Sequence, residues 1–124
     1  MGIGIDIVEI DRIEKACRRK SFTVRFFTER EISSIRQGPQ FYAHIAGKFA
    51  AKEAVSKALG TGFRFCWHDI EILNDESGKP MVHLSGKALD ISKTMNIDEI
   101  LVSISHSRDY AVAFAIARPA DRLF

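Results

Sequence analysis

Phe49-Ala50-Ala51-Lys52-Glu53-Ala54-Val55-Ser56-Lys57 lies inside the longest helical pattern of this 124-residue chain. That pattern runs over residues 40–59, with Gly60 where a C-terminal cap belongs. Positions four apart share a helix face, so Glu53 and Lys57 point the same way, with Phe49 one turn before. Alone, such a pair is a helix-stabilising contact worth about 0.2–0.5 kcal/mol. A second carboxylate changes its meaning. Asp6 stands in the apolar run Gly2-Ile3-Gly4-Ile5-Asp6-Ile7-Val8, which reads as a buried strand. An ionised carboxylate without a partner in a core costs several kcal/mol. Asp6 is therefore either a strand-end cap for the following helix or a ligand whose charge a cation offsets. Magnesium takes one or two protein carboxylates and leaves its other positions to water and substrate phosphates. Asp6 and Glu53 suffice for such a site, and Lys57, with Lys48 or Lys52, would meet the remaining phosphate charge. The direction of Lys52 fits either a phosphate contact or solvent.

Outward from this helix, the chain alternates helical and strand patterns. Residues 9–20 carry Ile10, Ile13 and Cys17 at helical spacing. Thr28 and Glu31 form a capping box that opens a short helix, with Gly38-Pro39 as its end. Strands are expected at 69–74 and 81–84 around the turn Asn74-Asp75-Glu76-Ser77-Gly78, and a helix at 86–95 with Ser85 as N-cap. Residues 100–105 and 110–117 alternate in the manner of a hairpin, and the tail after Ala117 reads as loose. Helices interleaved with hairpins predict an α+β fold: an antiparallel sheet, one long central helix and shorter helices, in a single domain.

Composition narrows the function. With 46% hydrophobic and 27% charged residues the chain is an ordinary globular mix, and no apolar run approaches a membrane span or a signal peptide. Cys17 and Cys66 lack metal or redox spacing and read as reduced thiols of a cytoplasmic protein. Residues 12–36 hold eight basic and three acidic side chains, a net +5, whereas residues 37–124 balance ten against ten. A basic segment on a neutral body points to an acidic partner: nucleic acid, a membrane surface or an acidic protein. Ser103-Ile104-Ser105-His106-Ser107-Arg108-Asp109 contains Ser, His and Asp, but a hydrolytic triad normally gathers residues distant in sequence. His106 is thus a turn residue or a phosphate contact. Gly2-Ile3-Gly4 lacks the third glycine of a dinucleotide fingerprint, and Gly47-Lys48 lacks the rest of a P-loop.

Gly2-Ile3-Gly4-Ile5-Asp6-Ile7 and Phe49-Ala50-Ala51-Lys52-Glu53-Ala54-Val55-Ser56-Lys57-Ala58-Leu59-Gly60-Thr61-Gly62 resemble the two signatures of the short bacterial phosphopantetheinyl transferases, the holo-[acyl-carrier-protein] synthases. Asp69-Ile70-Glu71-Ile72, Gly78-Lys79-Pro80 and Val102-Ser103-Ile104-Ser105-His106-Ser107 continue the likeness in order. The resemblance implies transfer of 4′-phosphopantetheine from coenzyme A to a serine of an acidic apo-acyl carrier protein, in support of fatty acid biosynthesis. It implies magnesium, with manganese as a possible substitute, and a homotrimer with active sites between protomers, without nucleic acid or membrane. In its terms Asp6 and Glu53 are metal ligands and, with Lys57, catalytic. Lys48, Ser56, Lys57, Gly78, Lys79, Pro80, Ser105, His106 and Ser107 fall to coenzyme A. Arg12, Arg18, Arg19 and Arg25 belong to the basic segment that receives the carrier. Many relatives have arginine where Lys48 stands, and lysine cannot grip phosphate bidentately. The serine proton goes to Glu53 or to water at the metal. Two rivals stay open: a basic nucleic-acid-binding module, and a metal-dependent phosphohydrolase acting on CoA-like pyrophosphates.

Overall fold

The computed structural model describes residues 1–60 and 65–120. Thr61 and Gly62 of the second signature, and residues 121–124 of the tail, lie outside them. Five strands and five helices are described: β1 (Gly2–Glu9), α1 (Ile10–Cys17), α2 (Lys20–Phe26), α3 (Glu29–Ser33), α4 (Phe41–Ala58), β2 (Ile70–Asn74), β3 (Pro80–Leu84), α5 (Gly86–Thr94), β4 (Ile97–His106) and β5 (Tyr110–Pro119). Both sheets are antiparallel, one in the order β1-β5-β4 and the other the β2-β3 hairpin. The expected α+β architecture with one long helix is what the chain forms. No helix among the described residues is long and apolar enough to cross a membrane.

The long helix is central in the literal sense. Ala46, Ala50, Ala51, Ala54 and Val55 of α4 are all fully enclosed, by the large sheet, by the hairpin and by α1 to α3. A helix apolar on most sides belongs inside a fold. Small side chains set how closely it packs on the sheet. Ala111, Ala113, Ala115 and Ala117 line the buried face of β5. On β1 the matching positions are Gly2 and Gly4, where an added Cβ would stand 1.9 Å from the carbonyl oxygens of Ala58 and Ala54. Gly60 closes the helix with φ +73 and its N–H on the Lys57 carbonyl, the left-handed cap that glycine favours.

This close packing reverses one expectation. β1 is not buried on both faces. Ile3, Ile5 and Ile7 are about 60% exposed, and glycine and Asp6 are what turn toward α4. In register they sit opposite Ile116, Phe114 and Val112 of β5, so the sheet has an open apolar face to which Leu101 of β4 adds.

Other boundaries moved for local reasons. The helix expected over 9–20 stops at Cys17, because Arg19 is extended (φ −95, ψ 118) and α2 starts afresh. The break lets Phe22 and Phe26 reach Phe49 on α4, with ring centroids 5.9 and 5.3 Å away. The capping box forms as expected: Thr28 Oγ1 accepts the Glu31 N–H at 3.1 Å and Glu31 Oε1 accepts the Thr28 N–H at 2.9 Å. That helix ends at Ser33, well before Gly38, because Ile35 turns back into the core. Ser85 occupies the N-cap position of α5 without a side-chain cap bond. β5 continues two residues past Ala117, paired with β4 to Pro119.

Candidate functional site

Because Gly2 and Gly4 bring α4 onto β1, Asp6 meets the last turns of the helix. Lys57 Nζ donates to the Ile5 carbonyl at 2.9 Å and lies 3.4 Å from Asp6 Oδ1. The Asp6 side chain is 19% exposed and that of Lys57 53%. Burial pushes the Asp6 carboxyl above its ordinary range, and nearby Lys57 only partly offsets it. Burial also raises Glu53, and the Asp6 charge raises it further. The three residues singled out in the sequence are therefore one cluster, and it is short of positive charge. A divalent cation is the group that would relieve two close, half-buried carboxylates. Among the described residues no third His, Cys, Asp or Glu completes a protein cage, and magnesium needs none. The donor set therefore fits the implied metal.

The other two lysines of α4 behave differently. Lys52, left open between phosphate and solvent, is at neither. It is 1% exposed and its ammonium sits 2.7 Å from Glu31 Oε1, itself wholly buried. Glu31 Oε2 accepts the Ile72 N–H at 2.7 Å, so one carboxylate joins α3, α4 and β2. Lys48 is 4% exposed, and its ammonium donates to the Ile72 carbonyl at 2.6 Å and to Asn74 Oδ1 at 3.1 Å. Burial lowers its pKa. Ser56 is 1% exposed within α4, so its hydroxyl is enclosed rather than open to substrate as expected.

Lys48 does reach a wall of a cavity of about 480 Å³, together with Arg36, His44, Gly78, Pro80 and His106. Three of the expected coenzyme segments thus converge there. Ser107 lines a neighbouring groove with His106 and Arg108. Ser105 does not join them, since strand alternation turns it to the open sheet face while Ile104 and His106 face α4. Lys79 is exposed, its backbone N–H bound to Asp75 Oδ1 at 2.9 Å. Of the four arginines, Arg12 and Arg19 share one concave patch with Lys15 and Phe22. Arg18 lines a separate groove beside α3, and Arg25 lies over the Phe26 ring at 5.5 Å. Arg36 and His44 were not foreseen in the cavity. A histidine one turn before Lys48 on the same helix face was the available signal.

Known proteins resemble this chain over nearly its whole length. The chain matches the model of the 4′-phosphopantetheinyl transferase superfamily over residues 2–115. A holo-[acyl-carrier-protein] synthase of Clostridium novyi is 53% identical over 121 residues, covering 94% of this chain and 86% of its own. One of Caldanaerobacter subterraneus is 50% identical over 117 residues, covering 93% and 92%. Among solved structures, holo-[acyl-carrier-protein] synthase from Neisseria meningitidis has a TM-score of 0.84 at 32% identity, covering 94% of this chain and 97% of that one. The enzyme from Bacillus anthracis in complex with CoA (3′,5′-ADP) has a TM-score of 0.77 at 39% identity, covering 96% of both chains. The seam of Asp6, Glu53 and Lys57, the cavity beside Lys48 and this likeness over nearly the whole length lead to one statement: the chain belongs to the 4′-phosphopantetheinyl transferase superfamily, among the holo-[acyl-carrier-protein] synthases.

Proposed function

We propose that this protein transfers 4′-phosphopantetheine from coenzyme A to a serine of apo-acyl carrier protein, releasing adenosine 3′,5′-bisphosphate. The observation that carries the reading is the cation-deficient pair Asp6 and Glu53 beside an accessible lysine, in a chain of this family. Asp6 and Glu53 would hold magnesium, which supplies charge neutralisation at the CoA pyrophosphate. Lys57, fixed by the Ile5 carbonyl but half exposed, presents its ammonium to the same phosphates and stabilises charge moving onto the leaving bisphosphate. The carrier serine attacks the β-phosphorus, and its proton passes to Glu53 or to water. The cavity with Lys48, Gly78, Pro80 and His106 takes the adenosine and its 3′-phosphate. The patch of Arg12, Lys15 and Arg19 receives the acidic carrier. Cys17 and Cys66 are free thiols, in keeping with a cytoplasmic setting.

A homotrimer belongs to the same proposal. Ile3, Ile5, Ile7, Leu101 and Phe114 leave an apolar sheet face uncovered on one chain. Lys48 and Glu53 are also about 140° apart around the α4 axis. The carboxylates and the cavity of one chain therefore open on different sides of the helix, and adjoining protomers would supply one of each. Monomeric sedimentation at assay concentrations would count against this arrangement. The transfer is tested by intact mass measurement of apo-carrier after incubation with CoA, magnesium and the protein. The expected result is the mass gain of one phosphopantetheine; no gain on a competent carrier refutes the proposal.

A further inference from the structure

The cavity beside α4 has an anion-binding character. Arg36, His44, Lys48 and His106 line it, and among the described residues no carboxylate does. Lys48 is buried, and both direct acceptors of its ammonium are neutral oxygens. One of those oxygens belongs to Asn74, at the end of β2. The far side of the same amide is also engaged: Asn74 Nδ2 donates to the Gly78 carbonyl at 2.8 Å. The partners fix the orientation of the amide, because an ammonium only donates and a carbonyl only accepts. Lys48, Asn74 and Gly78 thus form one continuous relay from the centre of α4 to the tip of the β2-β3 turn.

The amide is one of several ties at the tip, and the one that reaches the cavity wall. Asn74 pairs with Pro80, which has no N–H to give to the ladder. Gly78 stands at φ +90, a conformation side chains rarely allow, with open space where a Cβ would be. Its carbonyl and the cavity wall it forms are held by the Asn74 amide. Asp75 ties the other side of the turn, through the N–H groups of Ser77 and Lys79.

We propose that Asn74 is a positioning residue for the coenzyme. By joining Gly78 to the Lys48 ammonium, it fixes the turn as one wall of the subsite for the anionic 3′-phosphate end. This rests on the reading that the cavity takes coenzyme A. Asn74 itself does no chemistry; it places Gly78 and Pro80 and keeps Lys48 aimed.

Calorimetric titration with CoA and with 3′-dephospho-CoA tests it on wild-type protein, Asn74→Ala and Asn74→Asp. The second variant keeps an oxygen for Lys48 but loses the donor to Gly78 and adds a carboxylate charge beside the subsite, so the uncharged Asn74→Ala carries the test of the tie. Wild type should favour CoA over the dephospho form, and both variants should cut that preference about tenfold. The affinity for 3′-dephospho-CoA should fall by much less than that for CoA and the carrier KM should stay at its wild-type value, while the melting temperature of Asn74→Ala drops a little because the buried Lys48 ammonium loses an acceptor. A merely structural role would weaken both ligands equally, and that result overturns the proposal. So does either variant keeping the wild-type preference, or a wild-type protein that does not discriminate. If the preference collapses in the variants while wild type yields no mass gain on the carrier, the transferase reading fails and the relay stands.

Discussion

Lys52→Met isolates the buried ion pair. Methionine keeps the length of the stem and removes only the ammonium, which lies 2.7 Å from Glu31 Oε1 and 5.4 Å from the centre of the Phe27 ring. Glu31 would keep two backbone donors, Thr28 N–H at 2.9 Å and Ile72 N–H at 2.7 Å, but no contact cation. Removing one partner of a buried pair costs about 3–5 kcal/mol. The two remaining donors place the expected loss near the lower bound, about 3 kcal/mol. A domain of this size has roughly 5–15 kcal/mol in total, so the variant should fold but melt early. Equilibrium urea unfolding at fixed protein concentration measures the loss, and a cycle with Glu31→Gln separates the pair term from each single effect. The coupling should be about 2 kcal/mol or more. Folded Lys52→Met should bind CoA within about twofold of wild type. A loss under about 1 kcal/mol, an additive cycle, or a large drop in CoA affinity with stability intact would refute the assignment.

Three further outcomes follow from the site. Glu53→Gln should abolish most turnover yet raise the melting temperature of the metal-free protein, because burial and Asp6 disfavour the charged carboxylate in the fold. A carboxyl whose folded pKa is raised costs stability only where the unfolded chain would ionise, so this gain should vanish well below the ordinary 4.5 and grow as pH rises above it; a gain present at pH 2 would contradict it. Gly4→Ala puts a methyl 1.9 Å from the Ala54 carbonyl oxygen, and should cost about 3 kcal/mol and weaken metal binding together, read by calorimetry. Arg12→Ala should raise the carrier KM by about an order of magnitude and leave the CoA KM alone, with wild-type carrier affinity falling as salt rises; an affinity flat in salt would be the opposing result.

The legible parts of the sequence were those governed by local rules. The period of residues 40–59 and Gly60 marked α4, and Thr28 with Glu31 marked a real capping box. Asp6, Glu53 and Lys57 were recognisable because each was costly or pointed where it stood. The misreadings share a cause in tertiary packing. The isoleucines of β1 are ideal core residues by type, but the three-dimensional fit wants glycine against α4, so they face out. Lys52 and Glu31 are 21 residues apart, and nothing in either segment shows that they neutralise each other. Asn74 reads as a turn former, and only the fold brings Lys48 within reach of its amide.

β1 carries two messages on alternate residues. Its odd positions make up the open apolar face, and its even positions give the helix clearance and place Asp6 beside Lys57. The side-chain period of a strand is two, so a slip of one residue against β5 exchanges the messages completely. Isoleucine would be driven into the Ala54 and Ala58 carbonyls, while Asp6 would emerge on the greasy side. An off-register strand therefore cannot persist as a half-working enzyme. The open apolar face and the placement of Asp6 are lost in the same event, and proofreading of the pairing is built into the lettering of a single strand.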